Sequence, residues 1–129
     1  MKAIDTNIIV RLLTHDNENQ FQKAHKIFSN HDVFIADTVL LETEWVLRFA
    51  YKFKPAEINS VLKKLLGLSN VYLADSALIY QALKWHETGV DFADALHLAL
   101  SQQSSSFLTF DRKFIRQANG LSECLVEPP

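Results

Sequence analysis

Four acidic side chains stand where a carboxylate could do chemistry. Asp5 opens Asp5-Thr6-Asn7, between a short apolar run and Ile8, Ile9, Val10, Leu12 and Leu13. Glu42 has no basic residue one helical turn away, since Thr38, Val39, Trp45 and Val46 are its neighbours. Glu44, two positions on, has Arg48 at i+4 and reads as an ordinary surface pair. Glu42 therefore falls on an apolar stripe, where an unpaired carboxylate costs on the order of several kcal/mol. Asp94 sits in Asp91-Phe92-Ala93-Asp94-Ala95-Leu96, among apolar residues on nearly every side. Asp111 follows Phe107-Leu108-Thr109 after one residue, as Asp5 follows its own apolar run.

Each acid has a bland explanation. Asp5, Asp91 and Asp111 are good helix N-caps, and an acid at the third helical position, as at Asp94, suits the helix dipole. Together they fit a different pattern. Carboxylates gathered at one edge of a parallel sheet repel one another and persist only with a cation. Oxygen-only ligands, without cysteine or a motif histidine, select a hard ion such as Mg²⁺ or Mn²⁺. Such a site suits phosphodiester hydrolysis, with Thr6, Asn7, Asp91 and Thr109 as accessory polar groups.

The elements that must position these acids alternate. Strands are expected at Lys2–Ile4, Val33–Ala36, Val71–Leu73, Phe107–Thr109 and Leu125–Glu127. Helices are expected after Asp5, over Gln20–Phe28, from the Asp37-Thr38 cap to about Lys52, from Pro55 to a C′ glycine at Gly67, over Ser76–Glu87, over Asp91–Gln102 and after Asp111. Alternating strands and helices imply an α/β chain: a three-layer α/β/α sandwich with a mainly parallel four- to five-stranded sheet. Its ligands sit at the carboxyl ends of the strands. Trp45, Trp85, Cys124 and His97 read as packed residues.

The chain of 129 residues suggests one domain, residues 1–129, and at 48% hydrophobic it is long enough to bury a core. Its apolar runs are too short to cross a bilayer, and Asp5 and Arg11 interrupt any leader-like segment, so the expectation is a cytoplasmic protein without membrane contact. One cysteine leaves neither an internal disulfide nor a cysteine zinc site. A net charge of −2 is not the footprint of a typical nucleic-acid binder. A polyanion substrate then needs a bound cation or a local basic patch, and Arg112 and Arg116, close to Asp111, are the candidate contacts.

Four stretches in order resemble the PIN domain, and most closely the VapC-type toxins of toxin–antitoxin pairs. They are Ile4-Asp5-Thr6-Asn7, Val39-Leu40-Leu41-Glu42 leading to Trp45-Val46-Leu47, Asp91 to Ala99 with Asp94 in the acidic place, and Leu108-Thr109-Phe110-Asp111-Arg112-Lys113-Phe114. The resemblance implies a metal-dependent endoribonuclease with Asp5, Glu42, Asp94 and Asp111 as catalytic metal ligands. It also implies RNA as substrate, a homodimer, and a small antitoxin whose C-terminal segment occupies the groove. The rival readings are a PIN nuclease outside a toxin–antitoxin pair acting on structured nucleic acid, and a non-catalytic acidic-pocket module. A receiver-like module of that second kind needs a phosphoacceptor aspartate on a middle strand and a late lysine, and neither arrangement is present.

Overall fold

A computed structural model describes residues 1–129 as seven helices and five strands in two compact units, Met1–Ser76 and Ala77–Pro129. In the first unit, β1 (Lys2–Ala3), β2 (Val33–Phe34) and β3 (Val71–Tyr72) pair in parallel in the order β1-β2-β3. The register sets Lys2 opposite Val33 and Ala3 opposite Phe34, then Val33 opposite Val71 and Phe34 opposite Tyr72. Each strand is short, and single bonds prolong the ladder: Ile4 N–H donates to Phe34 O at 3.3 Å and Ile35 N–H to Tyr72 O at 3.0 Å. Val33 and Ile35 are fully buried, which places the apolar run of the central strand in the core.

The helices of this unit are α1 (Thr6–Thr14), α2 (Glu18–Asn30), α3 (Asp37–Phe49) and α4 (Pro55–Leu66). Helix α2 starts two residues before the expected Gln20, because Asn17 caps it by accepting from Gln20 N–H at 3.0 Å. The expected Asp37-Thr38 cap of α3 is not formed. Ala36 holds the cap position without a side-chain bond, and Asp37 is already helical. The helix stops at Phe49 rather than Lys52, since Phe53 N–H turns back to Leu47 O at 3.0 Å and Lys52 takes a left-handed φ of 59°. Gly67 closes α4 with a right-handed φ of −80°, so the C′ glycine conformation expected there is not used.

The second unit holds α5 (Ser76–Glu87, starting at its boundary), α6 (Phe92–Leu100), β4 (Ser106–Leu108), α7 (Arg112–Ala118) and β5 (Leu125–Glu127). Strands β4 and β5 are parallel, with Phe107 opposite Val126. Gly89, at φ 107°, makes the turn out of α5 that a side chain would strain. Helix α6 is apolar around most of its girth, and Phe92, Ala95, Leu96, Leu98 and Ala99 are buried. Phe92 meets the His86 ring edge-on, and Phe107 meets Phe114 likewise. Trp85 and Cys124 are buried as expected. The fold class is the expected α/β with parallel strands, its five strands pairing as three and two. No helix is long and apolar enough to cross a membrane.

Candidate active site

Asp5 is the second residue past β1 and caps α1, with its Oδ1 accepting from Ile8 N–H at 3.4 Å, a long bond. The turn that follows aims Thr6 at α3, and its hydroxyl donates to Glu42 Oε1. Asp5, Thr6, Asn7, Glu42 and Val46 line a cavity of about 280 Å³. The first unit thus brings together two of the four candidate acids and two accessory residues. Asp5 and Glu42 are both exposed.

Glu42 therefore does not occupy the buried position expected of it, although it lines the same cavity as Asp5. The core face of α3 is Leu40, Thr43, Glu44 and Leu47, so the helix is rotated from the expected phase. Glu44, expected on the surface, is 2% exposed and receives both Arg48 Nε at 2.8 Å and Arg48 Nη2 at 3.1 Å. A bidentate guanidinium is what lets a carboxylate occupy a core position. Trp45, expected in the core, is 55% exposed and packs on Phe49 one turn further along.

In the second unit Asp91 caps α6, accepting from Asp94 N–H at 3.1 Å. Asp111 caps α7, accepting from Lys113 N–H at 3.0 Å and Phe114 N–H at 3.1 Å. Thr109 does not reach the acids through its proton. Its oxygen accepts from Asp111 N–H at 3.0 Å and so fixes the backbone that carries Asp111. Asp94 makes no side-chain hydrogen bond and is half-buried. Burial first, then the charges of Asp91 and Asp111, push its carboxyl above the ordinary value, while His97 pulls the other way. His97 is exposed, not packed. Asp94 is thus a crowded, half-buried carboxylate, and perturbed carboxylates of this kind cluster at functional sites.

Each capping acid spends one oxygen on the backbone, and the second oxygens of Asp5 and Asp111 carry no protein hydrogen bond. No three Asp, Glu, His or Cys side chains form a ready-made metal cage. The donors present are nonetheless all hard oxygens, and Mg²⁺ commonly binds one or two carboxylates while keeping water and substrate phosphate as its other ligands. The donor chemistry therefore fits a hard divalent ion.

Phe110 was not singled out by its sequence, yet it is 89% exposed directly before Asp111. Its signal was a large aromatic set between polar and charged neighbours just past a strand end. Arg112 and Arg116 lie on α7 beside it, exposed as expected.

The family model described as PIN domain matches residues 2–120, a span that contains Asp5, Glu42, Asp91, Asp94 and Asp111. No curated protein matches the chain.

Proposed function

The chain belongs to the PIN domain family, and from that premise we propose that it is a metal-dependent endoribonuclease serving as the toxin of a toxin–antitoxin pair. PIN domains are generally metal-dependent nucleases. The observation that carries the reading is the unpaired Asp94, crowded by Asp91 and Asp111, inside a family match that also contains Asp5 and Glu42. We propose that the whole chain acts as one nuclease domain, in which Asp5, Glu42, Asp94 and Asp111 hold Mg²⁺ or Mn²⁺. A bound ion of this kind activates a water and offsets charge on the leaving oxygen.

The residues themselves have separable roles. Capping fixes Asp5 and Asp111 on helix starts, so their free oxygens need little reorganisation to take a ligand. The Thr6 hydroxyl orients Glu42. Arg112 and Arg116 offset the phosphate charge that a chain of net charge −2 otherwise repels. That low charge also favours exposed loops of structured RNA over duplex. A small antitoxin carrying an arginine fits the acids in bidentate fashion and restrains the enzyme. A homodimer in the cytoplasm completes the reading.

The test is cleavage of total RNA with and without Mn²⁺ by the parent, Asp5→Asn and Asp94→Asn. Metal-dependent cuts by the parent, lost in both variants, support the assignment. Full activity in either variant ends it. Cleavage of structured DNA in place of RNA retains the nuclease and removes the toxin reading.

A further inference from the structure

Phe110, Arg112, Ile115, Arg116 and Pro128 line a cavity of about 410 Å³ within the second unit. That volume lies in the range of roughly 300–1,000 Å³ found for small-ligand pockets. Its lining divides by chemistry. Arg112 and Arg116 are four residues apart on α7, on one face of the helix. Like charges at that spacing destabilise a helix, and α7 is only seven residues long. Neither arginine has an ion pair or a side-chain hydrogen bond, whereas Arg11 is held by Asp16 at 2.8 Å and Arg48 by Glu44 at 2.8 Å. Of the four arginines, the two without a partner are thus the two that face one cavity.

The rest of the lining is apolar. Phe110 presents almost its whole ring, at 89% exposure, with Ile115 and Pro128 beside it. A cavity with two free guanidinium groups and an aromatic face matches a ligand that joins anionic oxygens to a planar ring. An acidic peptide satisfies the arginines and leaves the aromatic face unused. A nucleotide satisfies both, because stacking on an aromatic side chain is open to every base.

We propose that this cavity is a subsite for one unpaired nucleotide of the substrate strand, its base stacked on Phe110 and its phosphates held by Arg112 and Arg116. The proposal rests on the nuclease reading given above and adds to it where the strand is gripped, and that the gripped residue is single-stranded. Asp111, the residue between Phe110 and Arg112, places the subsite next to a candidate catalytic acid. Base stacking there is tolerant of base identity, so the subsite confers single-strand preference rather than sequence choice.

The probe is a fluorescein-labelled, 2′-O-methylated oligouridylate, which binds without being cut, set against the same strand in a duplex. Anisotropy gives Kd at several salt concentrations for the parent, Phe110→Ala, Phe110→Trp and the double variant Arg112→Gln/Arg116→Gln. Phe110→Ala is expected to weaken single-strand binding by roughly ten- to a hundredfold with the salt slope unchanged, and Phe110→Trp to restore it. The double variant is expected to lower the slope of log K against log salt by about 0.7 for each phosphate it no longer neutralises. Melting temperatures confirm that the exposed substitutions leave the fold intact. Unchanged affinity and slope in these variants overturn the subsite, and if the parent still cuts RNA with Mn²⁺ the nuclease reading stands without it. A parent that binds oligoglutamate and ignores the oligonucleotide also overturns it, in favour of an acidic protein.

Discussion

Glu42 and Glu44 lie two residues apart on α3 and should respond in opposite ways to the same change. Glu44 is 2% exposed and accepts two charge-assisted bonds from Arg48, whose side chain is 34% exposed. Glu44→Gln keeps the shape, removes the charge, and leaves at most one of those bonds well aligned. Losing a partner from a fully buried pair costs about 3–5 kcal/mol, and a single charged hydrogen bond is worth about 1.5–3 kcal/mol. Arg48 can recover water through its exposed third, so the expected loss is about 2–3 kcal/mol. With an unfolding entropy of about 2.1 cal/mol/K per residue over 129 residues, that lowers Tm by about 7–11 °C. Glu42 is exposed and meets only the Thr6 hydroxyl, so Glu42→Gln should change stability by less than about 0.5 kcal/mol. Its RNA cleavage should fall to background, while Glu44→Gln below its own Tm should retain activity. Thermal melts and a cleavage assay on both variants decide the matter. Equal Tm losses, or cleavage lost in Glu44→Gln and kept in Glu42→Gln, would refute the reasoning.

Three further outcomes are expected. Mn²⁺ or Mg²⁺ should raise Tm, with about 2.7 kcal/mol gained when the ion is present at a hundred times its Kd, and calorimetry showing no binding at millimolar metal counts against the site. Asp94→Asn should leave the metal-free protein as stable as the parent or slightly more so, because burial first, and then the charges of Asp91 and Asp111, disfavour an ionised carboxyl there and asparagine carries no charge; a clear drop in its metal-free Tm contradicts this. Asp16 is held at about 2, below its ordinary 3.8, by hydrogen bonds from Tyr51 first and then from Arg11 and Thr14. Its folded pKa is depressed, so its contribution is complete above the unfolded value and lost as pH falls toward about 2. Asp16→Asn should then be less stable than the parent at pH 7 and converge with it in urea melts near the lower value, and a gap that stays constant across that range excludes the linkage.

The strand–helix alternation and every element were legible in the sequence, because apolar runs and cap residues are local signals. Boundaries shifted by one to three residues where tertiary bonds intervene, as at the Phe53 to Leu47 return that ends α3. The rotation of α3 was not legible. Trp45 and Val46 look like core residues and Glu44 like surface, and only the bidentate Arg48 explains why the chain buries Glu44 and exposes Trp45. A hydrophobic count on α3 cannot weigh an ion pair that removes a charge penalty. The capping places of Asp5, Asp91 and Asp111 were legible from strand ends and cap residues, whereas Glu42 was chosen for a burial it does not have. Phe110 was not, because its exposure depends on where β4 stops and α7 starts, which the sequence places only approximately.

Strand β1 is two residues long, both exposed, at the edge of its sheet, and Asp5 is the second residue beyond it. Its amides hold on through Lys2 N–H to Asp32 O at 2.8 Å and Ile4 N–H to Phe34 O at 3.3 Å. Such an edge opens locally at far lower free energy than the buried centre of the sheet. In hydrogen–deuterium exchange the Lys2 and Ile4 amides should therefore label early, and those of the buried Val33 and Ile35 late. Any ligand that grips Asp5 must also hold β1 in register, so its affinity and the protection of those two amides rise and fall together. The N-terminal edge becomes a reporter of occupancy, readable one amide at a time.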